Sequence, residues 1–247
     1  MKPLLLVDAG NSLIKWAVVA SLGGKIEVKG EIPTRETTAA TIKRLAGDFG
    51  GHRAVLASVV PQVTSWFEEV FGKSLSVLTA ETSGLFFTYP NPAQLGADRL
   101  AAALAAFHGK LYPCIIVSCG TATAFTALDE RGAFCGGAIA PGPQTQIDSL
   151  AGAAAQLPAI SLAGSHDLPA KSTEEAIRAG VILGFRGGVK EIVAELREKM
   201  GGNPRVILTG GHAEMVRSVI RDAELRPLLV FEGLRIMGER SSAARFS

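Results

Sequence analysis

Three glycine-bearing turns and one acid–guanidinium doublet carry the residue types and spacing in this chain that fit chemistry on a phosphate. The apolar run from Leu4 to Val19 breaks on Asp8-Ala9-Gly10-Asn11-Ser12 and then resumes. In a tight turn between two strands, glycine permits positive φ and lets backbone N–H groups approach an anion with no Cβ in the way. Gly10, Asn11 and Ser12 supply such a turn with side-chain donors beside it. Asp8 at the strand end suits a divalent cation such as Mg²⁺, held through water because that ion keeps much of its hydration shell. The same residues also fit an Asp-Gly hairpin in which Asp8 only caps backbone donors. A second turn, Ser118-Cys119-Gly120-Thr121-Ala122-Thr123, offers Gly120 and the hydroxyls of Thr121 and Thr123, so that two facing turns could clamp a polyphosphate. In the third, Thr209-Gly210-Gly211-His212, the glycines would let a flat adenosine lie against the backbone, although a strand, two glycines and a helix are also ordinary α/β punctuation.

The doublet is Asp98-Arg99, in the first turn of a helix expected over residues 98–108. An acid there is favoured by the helix dipole with no function at all. Its neighbour gives the second reading: a guanidinium can hold a carboxylate-bearing substrate bidentately while the adjacent carboxylate accepts a hydroxyl proton. Phosphoryl transfer to an alcohol asks for those two roles, with positioning carrying most of the catalysis.

The elements that must position these residues follow from the hydrophobic pattern. Residues 3–7, 13–19 and 25–32 read as three strands joined by tight turns, 37–49 as a helix stopped by Gly50-Gly51, 54–60 as a buried strand, 63–71 as a helix and 75–78 as a strand. From Cys114 the order begins again: strands over 114–117, 123–128 and 133–139, helices over 144–156 and 173–199, a strand over 205–208, a helix over 212–221, a strand over 228–231 and a terminal helical stretch. The repeat is one of element order, since identity between the halves is slight. It implies two similar α/β domains facing each other, with the alanine-rich helix between them. Ala101 to Ala106 would let helices approach closely, which suits a dimer seam or a buried place inside one domain.

Composition narrows the class further. The 247 residues are 47% hydrophobic and carry a net charge of +2, which excludes a strong field for nucleic acid or an anionic membrane. Cys114, Cys119 and Cys135 are odd in number, lack zinc-type spacing with the four histidines, and read as reduced thiols of a cytoplasmic protein. No stretch approaches the roughly 20 apolar residues of a membrane span. Trp16 and Trp66 lie on apolar patterns and read as core.

Taken in order, Asp8-Ala9-Gly10-Asn11-Ser12, Tyr89 with Gly96-Ala97-Asp98-Arg99, Gly120-Thr121-Ala122-Thr123, the run from Gly136-Gly137 to Pro141-Gly142, and Thr209-Gly210-Gly211 resemble the type III pantothenate kinases. The likeness runs from Leu4 to about Leu234. It implies the fold of the actin, sugar-kinase and heat-shock ATPase superfamily: α/β, with two duplicated RNase H-like domains over residues 1–110 and 111–247, each of three antiparallel strands then helix, strand and helix in a mixed sheet, and a cleft that closes over ATP. The implied activity is ATP-dependent phosphorylation of pantothenate to 4′-phosphopantothenate, the first step of coenzyme A biosynthesis, by a homodimer using Mg²⁺.

Carried over by position, Asp8, Ala9, Gly10, Asn11, Ser12, Leu13, Ile14 and Lys15 resemble the first phosphate loop, with Asp8 near the metal, and Thr121 the second ATP contact. Asp98 is similar to the family's proton acceptor. Tyr89, Gly96, Ala97, Asp98 and Arg99 resemble its pantothenate site. Thr173 resembles a threonine that reaches the substrate bound mainly by the partner subunit, and apart from the likeness it reads as a helix N-cap. Two positions depart from the commoner pattern: Ser118 and Thr126 stand where many members carry aspartates, the first associated with a monovalent cation. A neutral hydroxyl cannot replace a carboxylate as a strong cation ligand, which puts K⁺ or NH₄⁺ dependence in doubt. Two rivals stay open on the sequence: a superfamily phosphatase, which needs an activated water and has no use for Gly96 to Arg99, and an inactive accessory or regulatory protein on the same fold, which Ser118 encourages.

Overall fold

The structure, a computed structural model, describes residues 3–21, 23–49 and 52–243. The apolar run before the first turn forms β1 (Leu4–Ala9) and the run after it β2 (Leu13–Val19), paired antiparallel so that Asp8 stands opposite Lys15. β3 (Ile26–Pro33) extends the meander. α1 (Ala39–Asp48) starts from a capping box in which the Thr38 side chain accepts from Thr41 N–H while the Thr41 side chain accepts from Thr38 N–H. The Gly50-Gly51 stop lies outside the described residues. β4 (Arg53–Ser58) lies parallel to β1, α2 (Pro61–Phe71) crosses over, and β5 (Leu75–Val77) lies parallel to β4. A one-turn helix α3 (Ala80–Ser83), absent from the sequence reading, precedes α4 (Ala97–His108). The sheet order is β3-β2-β1-β4-β5.

A second set follows: β6 (Cys114–Cys119), β7 (Ala122–Leu128), β8 (Phe134–Pro141), α5 (Pro143–Ala153), α6 (Thr173–Met200), β9 (Arg205–Thr209), the short α7 (Glu214–Arg217) and β10 (Glu224–Leu225). Its sheet runs β8-β7-β6-β9-β10, the same order of meander strands, first strand and crossover strands as in the first sheet. The fold is therefore α/β with the five-stranded mixed sheet built twice.

Two readings are corrected. The apolar run over residues 228–231 is not a strand but opens α8 (Leu229–Ala243), and the last strand is β10, where Arg226 N–H still bonds Leu208 O at 2.8 Å. Burial decides it: Phe231, Leu234 and Met237 recur every three residues and are all buried. The helix read over 212–221 shrinks to the single turn of α7.

The chain forms two compact units. The first gathers the residues up to Leu111, Gly132–Phe134 and the chain from Leu228, so α8, placed by sequence order in the second domain, groups with the first. In that unit β1 alternates: Leu5, Val7 and Ala9 join Leu56, Ile42, Val63 and Phe67 on one face, with Trp16 and Trp66 packed at the cluster's edge. Leu4, Leu6 and Asp8 therefore share the other face, where Leu4 meets α8 at Gly238. Ala101 to Ala106 are buried inside this unit, resolving the choice left open by their composition. In the second unit Ile115, Val117, Phe125, Val206 and Leu208 pack against Phe185, Val189 and Val193 of α6. Among the described residues no helix is long and apolar enough to cross a membrane.

α8 closes on α4 through a backbone approach that admits no side chain: a Cβ on Gly233 would lie 1.9 Å from Ala101 O. Gly233→Ala must push two helices apart, and we expect a loss of roughly 1–3 kcal/mol of stability. Thermal unfolding measures it; a midpoint unchanged from the parent would contradict the close approach.

Candidate functional site

In the first unit the site is built where β1 ends and α4 begins. Asp8 projects from the strand toward the α4 side of the sheet, level with Lys15 on β2. Its pKa is pushed up from 3.8 to about 7, first by burial, then by the negative charge of Asp98, with the Lys15 ammonium pulling the other way. Lys15 also pairs with Glu31 at 3.8 Å. Asp8 thus feels burial and the charge of Asp98, with the Lys15 ammonium acting against the rise.

Asp98 is held by local sterics. The helix N-cap is Gly96, which has no side chain to cap with, and a Cβ there would lie 2.6 Å from Asp98 Oδ1. The carboxylate folds over the bare Cα, so Gly96 serves Asp98's placement. Arg99 points to an aromatic patch, its guanidinium carbon 5.2 Å from the centre of the Phe134 ring. Burial draws the guanidinium's pKa below its ordinary value, while Asp98 and then Tyr89 act to hold it up. Tyr89 meets the same ring edge-on at 6.0 Å and 69°. Tyr89, Gly96, Asp98 and Arg99 are therefore brought together in this unit. Phe134 was missed by the sequence reading. It is fully buried and joined to the segment before α4 by Phe134 N–H to Phe86 O at 2.8 Å and Thr88 N–H to Phe134 O at 3.1 Å. A phenylalanine at the start of a strand gives no signal of such a role.

The first turn is tightly closed, with Gly10 N–H donating to Leu13 O at 3.0 Å and Asn11 and Ser12 exposed. Thr34, also missed, fastens it: its hydroxyl donates to Gly10 O at 2.7 Å and its N–H to Ser12 O at 2.9 Å. Neither Gly10 nor Gly120 is among the glycines with positive φ, so their value at these turns is an uncovered backbone, not a left-handed conformation.

In the second unit two of the glycine turns meet at the end of β6. Gly210, at φ +91°, packs so closely that a Cβ would lie 2.5 Å from Cys119 O, and His212 N–H donates to that same oxygen at 3.0 Å. Gly211 faces open space. Gly120 N–H closes the second turn on Ala122 O at 3.1 Å, leaving Thr121 and Ala122 exposed. Thr123 does not offer its hydroxyl there. It is fully buried opposite Cys119, on the core side, and its Oγ1 finds no hydrogen bond among the described residues. Ser118 sits between Ala124 and Thr209 on the other face, which it shares with the buried Thr126. Thr173 is exposed and is the first residue of α6, not its N-cap; Ser172 caps, accepting from Glu175 N–H at 3.2 Å.

A hard divalent cation fits the first-unit site. Mg²⁺ takes one or two carboxylates and otherwise water or phosphate oxygens, and a buried Asp8 raised by a like charge is relieved by added positive charge. Among the described residues no group of three or more His, Cys, Asp or Glu side chains could hold a metal by itself.

Comparison with known proteins gives a consistent result. The family model described as type III pantothenate kinase matches residues 4–195. A type III pantothenate kinase of Methylacidiphilum infernorum is 34% identical over 96% of this chain and 88% of its own length. One from Akkermansia muciniphila is 36% identical over 94% and 96%. Among solved structures, a Campylobacter jejuni protein assigned to the Baf family of transcriptional activators superposes with a TM-score of 0.65 over 97% of this chain and 99% of its own, at 20% identity, a likeness of fold alone. On the extent of these matches, and with its turns and its Asp98-Arg99 doublet placed as described, the chain belongs to the type III pantothenate kinase family.

Proposed function

We propose that this kinase transfers the γ-phosphoryl group of ATP to the primary hydroxyl of pantothenate, giving 4′-phosphopantothenate and ADP and opening coenzyme A biosynthesis. The observation that carries the reading is the convergence of Asp98, Arg99 and Tyr89 beside Asp8 within one unit. Arg99 holds the carboxylate of pantothenate, with its planar guanidinium backed by the Phe134 ring. Asp98 Oδ accepts the proton of the substrate hydroxyl as its oxygen bonds to the γ-phosphorus and the bond to ADP breaks. The proton leaves late in a loose transfer, so an ordinary carboxylate suffices and position matters most.

Asp8 to Lys15 form the first phosphate loop and the Gly120 turn with Thr121 a further ATP contact. Asp8 would hold Mg²⁺, which would supply positive charge toward the phosphate oxygens. The neutral Ser118 and Thr126 give no carboxylate for a monovalent cation, which puts dependence on K⁺ or NH₄⁺ in doubt. The working form is a cytoplasmic homodimer in which Thr173 reaches the substrate held by the other subunit.

Asp98→Asn is isosteric and removes the proton acceptor. It lowers kcat by ~10²- to 10⁴-fold while ATP affinity stays near the parent's; unchanged phosphopantothenate formation by mass spectrometry would remove Asp98 from the reaction.

Asp8 sets a pH dependence on the ligand-free protein. Its folded pKa of about 7 lies above the ordinary 3.8, so the folded state holds the proton more tightly. The corresponding stability is fully present below the ordinary value and is lost as pH rises through about 7. Asp8→Asn abolishes that loss, gaining on the parent by at least about 1 kcal/mol between pH 5 and pH 8. Mg²⁺ stabilises the parent, not the variant, at pH 8. Parallel denaturation curves with and without the ion would contradict both.

A further inference from the structure

The carbonyl of Thr121 is fastened twice to the start of α5. Gly142 N–H donates to it at 2.9 Å and the Thr145 hydroxyl at 2.7 Å. The approach is a backbone contact: a Cβ on Gly142 would lie 2.0 Å from Gly120 O and 2.7 Å from Thr121 O. Thr145 is the third residue of α5, after the N-cap Gly142 and Pro143 at the first position. Gly142 makes no side-chain cap, and the Thr145 hydroxyl reaches out of the helix to the turn. The platform behind it is firm. Gln146 N–H bonds Gly142 O at 3.0 Å, Gln146 Nε2 bonds Pro141 O at 3.1 Å, and the Ser149 hydroxyl bonds Thr145 O at 2.7 Å.

A planar trans peptide points its carbonyl and the following N–H in opposite directions. Holding Thr121 O toward α5 therefore aims the Ala122 N–H away from α5 and fixes the plane of an exposed turn. Beside Gly120, whose backbone is permissive, that plane would otherwise be free to rotate.

The same device occurs in the other unit. There the Thr34 hydroxyl donates to Gly10 O at 2.7 Å, and Thr34 follows Gly10 by 24 residues, as Thr145 follows Thr121 by 24. In both, a backbone N–H adds a second tie, from Thr34 to Ser12 O and from Gly142 to Thr121 O. Each unit thus ties a turn carbonyl to a threonine hydroxyl, on the first turn residue Gly10 in one and on the second turn residue Thr121 in the other.

We propose that Thr145 is a positioning residue for ATP: its hydroxyl, together with the Gly142 N–H, locks the Thr121–Ala122 peptide in the orientation that presents the second turn to phosphate. The proposal rests on the reading of that turn as an ATP contact. Thr145→Val keeps the shape and removes the donor, and Thr145→Ser keeps the donor. Steady-state kinetics with pantothenate as acceptor are paired with calorimetric titration of Mg·ATP in its absence. The valine variant raises KM for ATP and weakens ATP binding roughly five- to tenfold, the effect of one neutral hydrogen bond. KM for pantothenate does not move, and the serine variant returns both ATP values toward the parent. A valine variant that binds ATP as the parent does, a serine variant as weak as valine, or an equal rise in KM for pantothenate overturns the proposal. If the parent binds ATP without phosphorylating pantothenate, the assigned acceptor is wrong, and the titrations still decide Thr145's role.

Discussion

A carboxylate kept largely out of water at a strand end, within the field of the negative charge of Asp98, is the constraint on which the rest of the first unit depends. Asp8 leaves the end of β1 and Asp98 the first turn of α4, and burial with the like charge of Asp98 lifts Asp8 far from its ordinary titration range. Nothing in local structure would choose that arrangement. It is imposed by packing: the alternation of β1 sends Asp8 to the α4 face, while the bare Cα of Gly96 leaves room for Asp98 to fold back. α8 then presses α4 onto the sheet through a glycine contact that allows no slack. Added positive charge relieves that tension, which is what a divalent cation brings to a carboxylate site.

The second unit solves a different problem with the same strand order. Its first strand ends in a serine and a cysteine, not a carboxylate, and two glycine turns meet there around Cys119 O. Uncovered backbone is what this unit displays at that place, and charge is what the first displays. The strand order is built twice, and the two first strands end in different chemistry.

Much of the frame was legible because its strands are short apolar runs bounded by glycine. β2 is read to the residue, and most other strands to within one or two. The failures have a common cause. Four consecutive apolar residues from Leu228 satisfy strand and buried helix alike, and only contacts with α4 and β1 decide between them. At the site, Asp8, Asp98 and Arg99 were legible because charge in an apolar context is conspicuous. Thr34, Phe134 and Thr145 were not, since each acts through a contact made between distant parts of the chain, and a lone threonine or phenylalanine has many ordinary uses. Thr123 failed in the opposite sense: a hydroxyl beside a glycine turn looks like a ligand until strand alternation turns it inward.

The return of α8 to the first unit bears on how the polypeptide matures as it is made. The second unit lies between Tyr112 and Pro227, and its last strand, β10, is made just ahead of α8. The N-terminal sheet, although synthesised first, waits with one face uncovered until residues 229–243 emerge to seal it. Vectorial synthesis therefore denies the N-terminal unit its usual head start, since its last helix is among the last parts of the chain to appear.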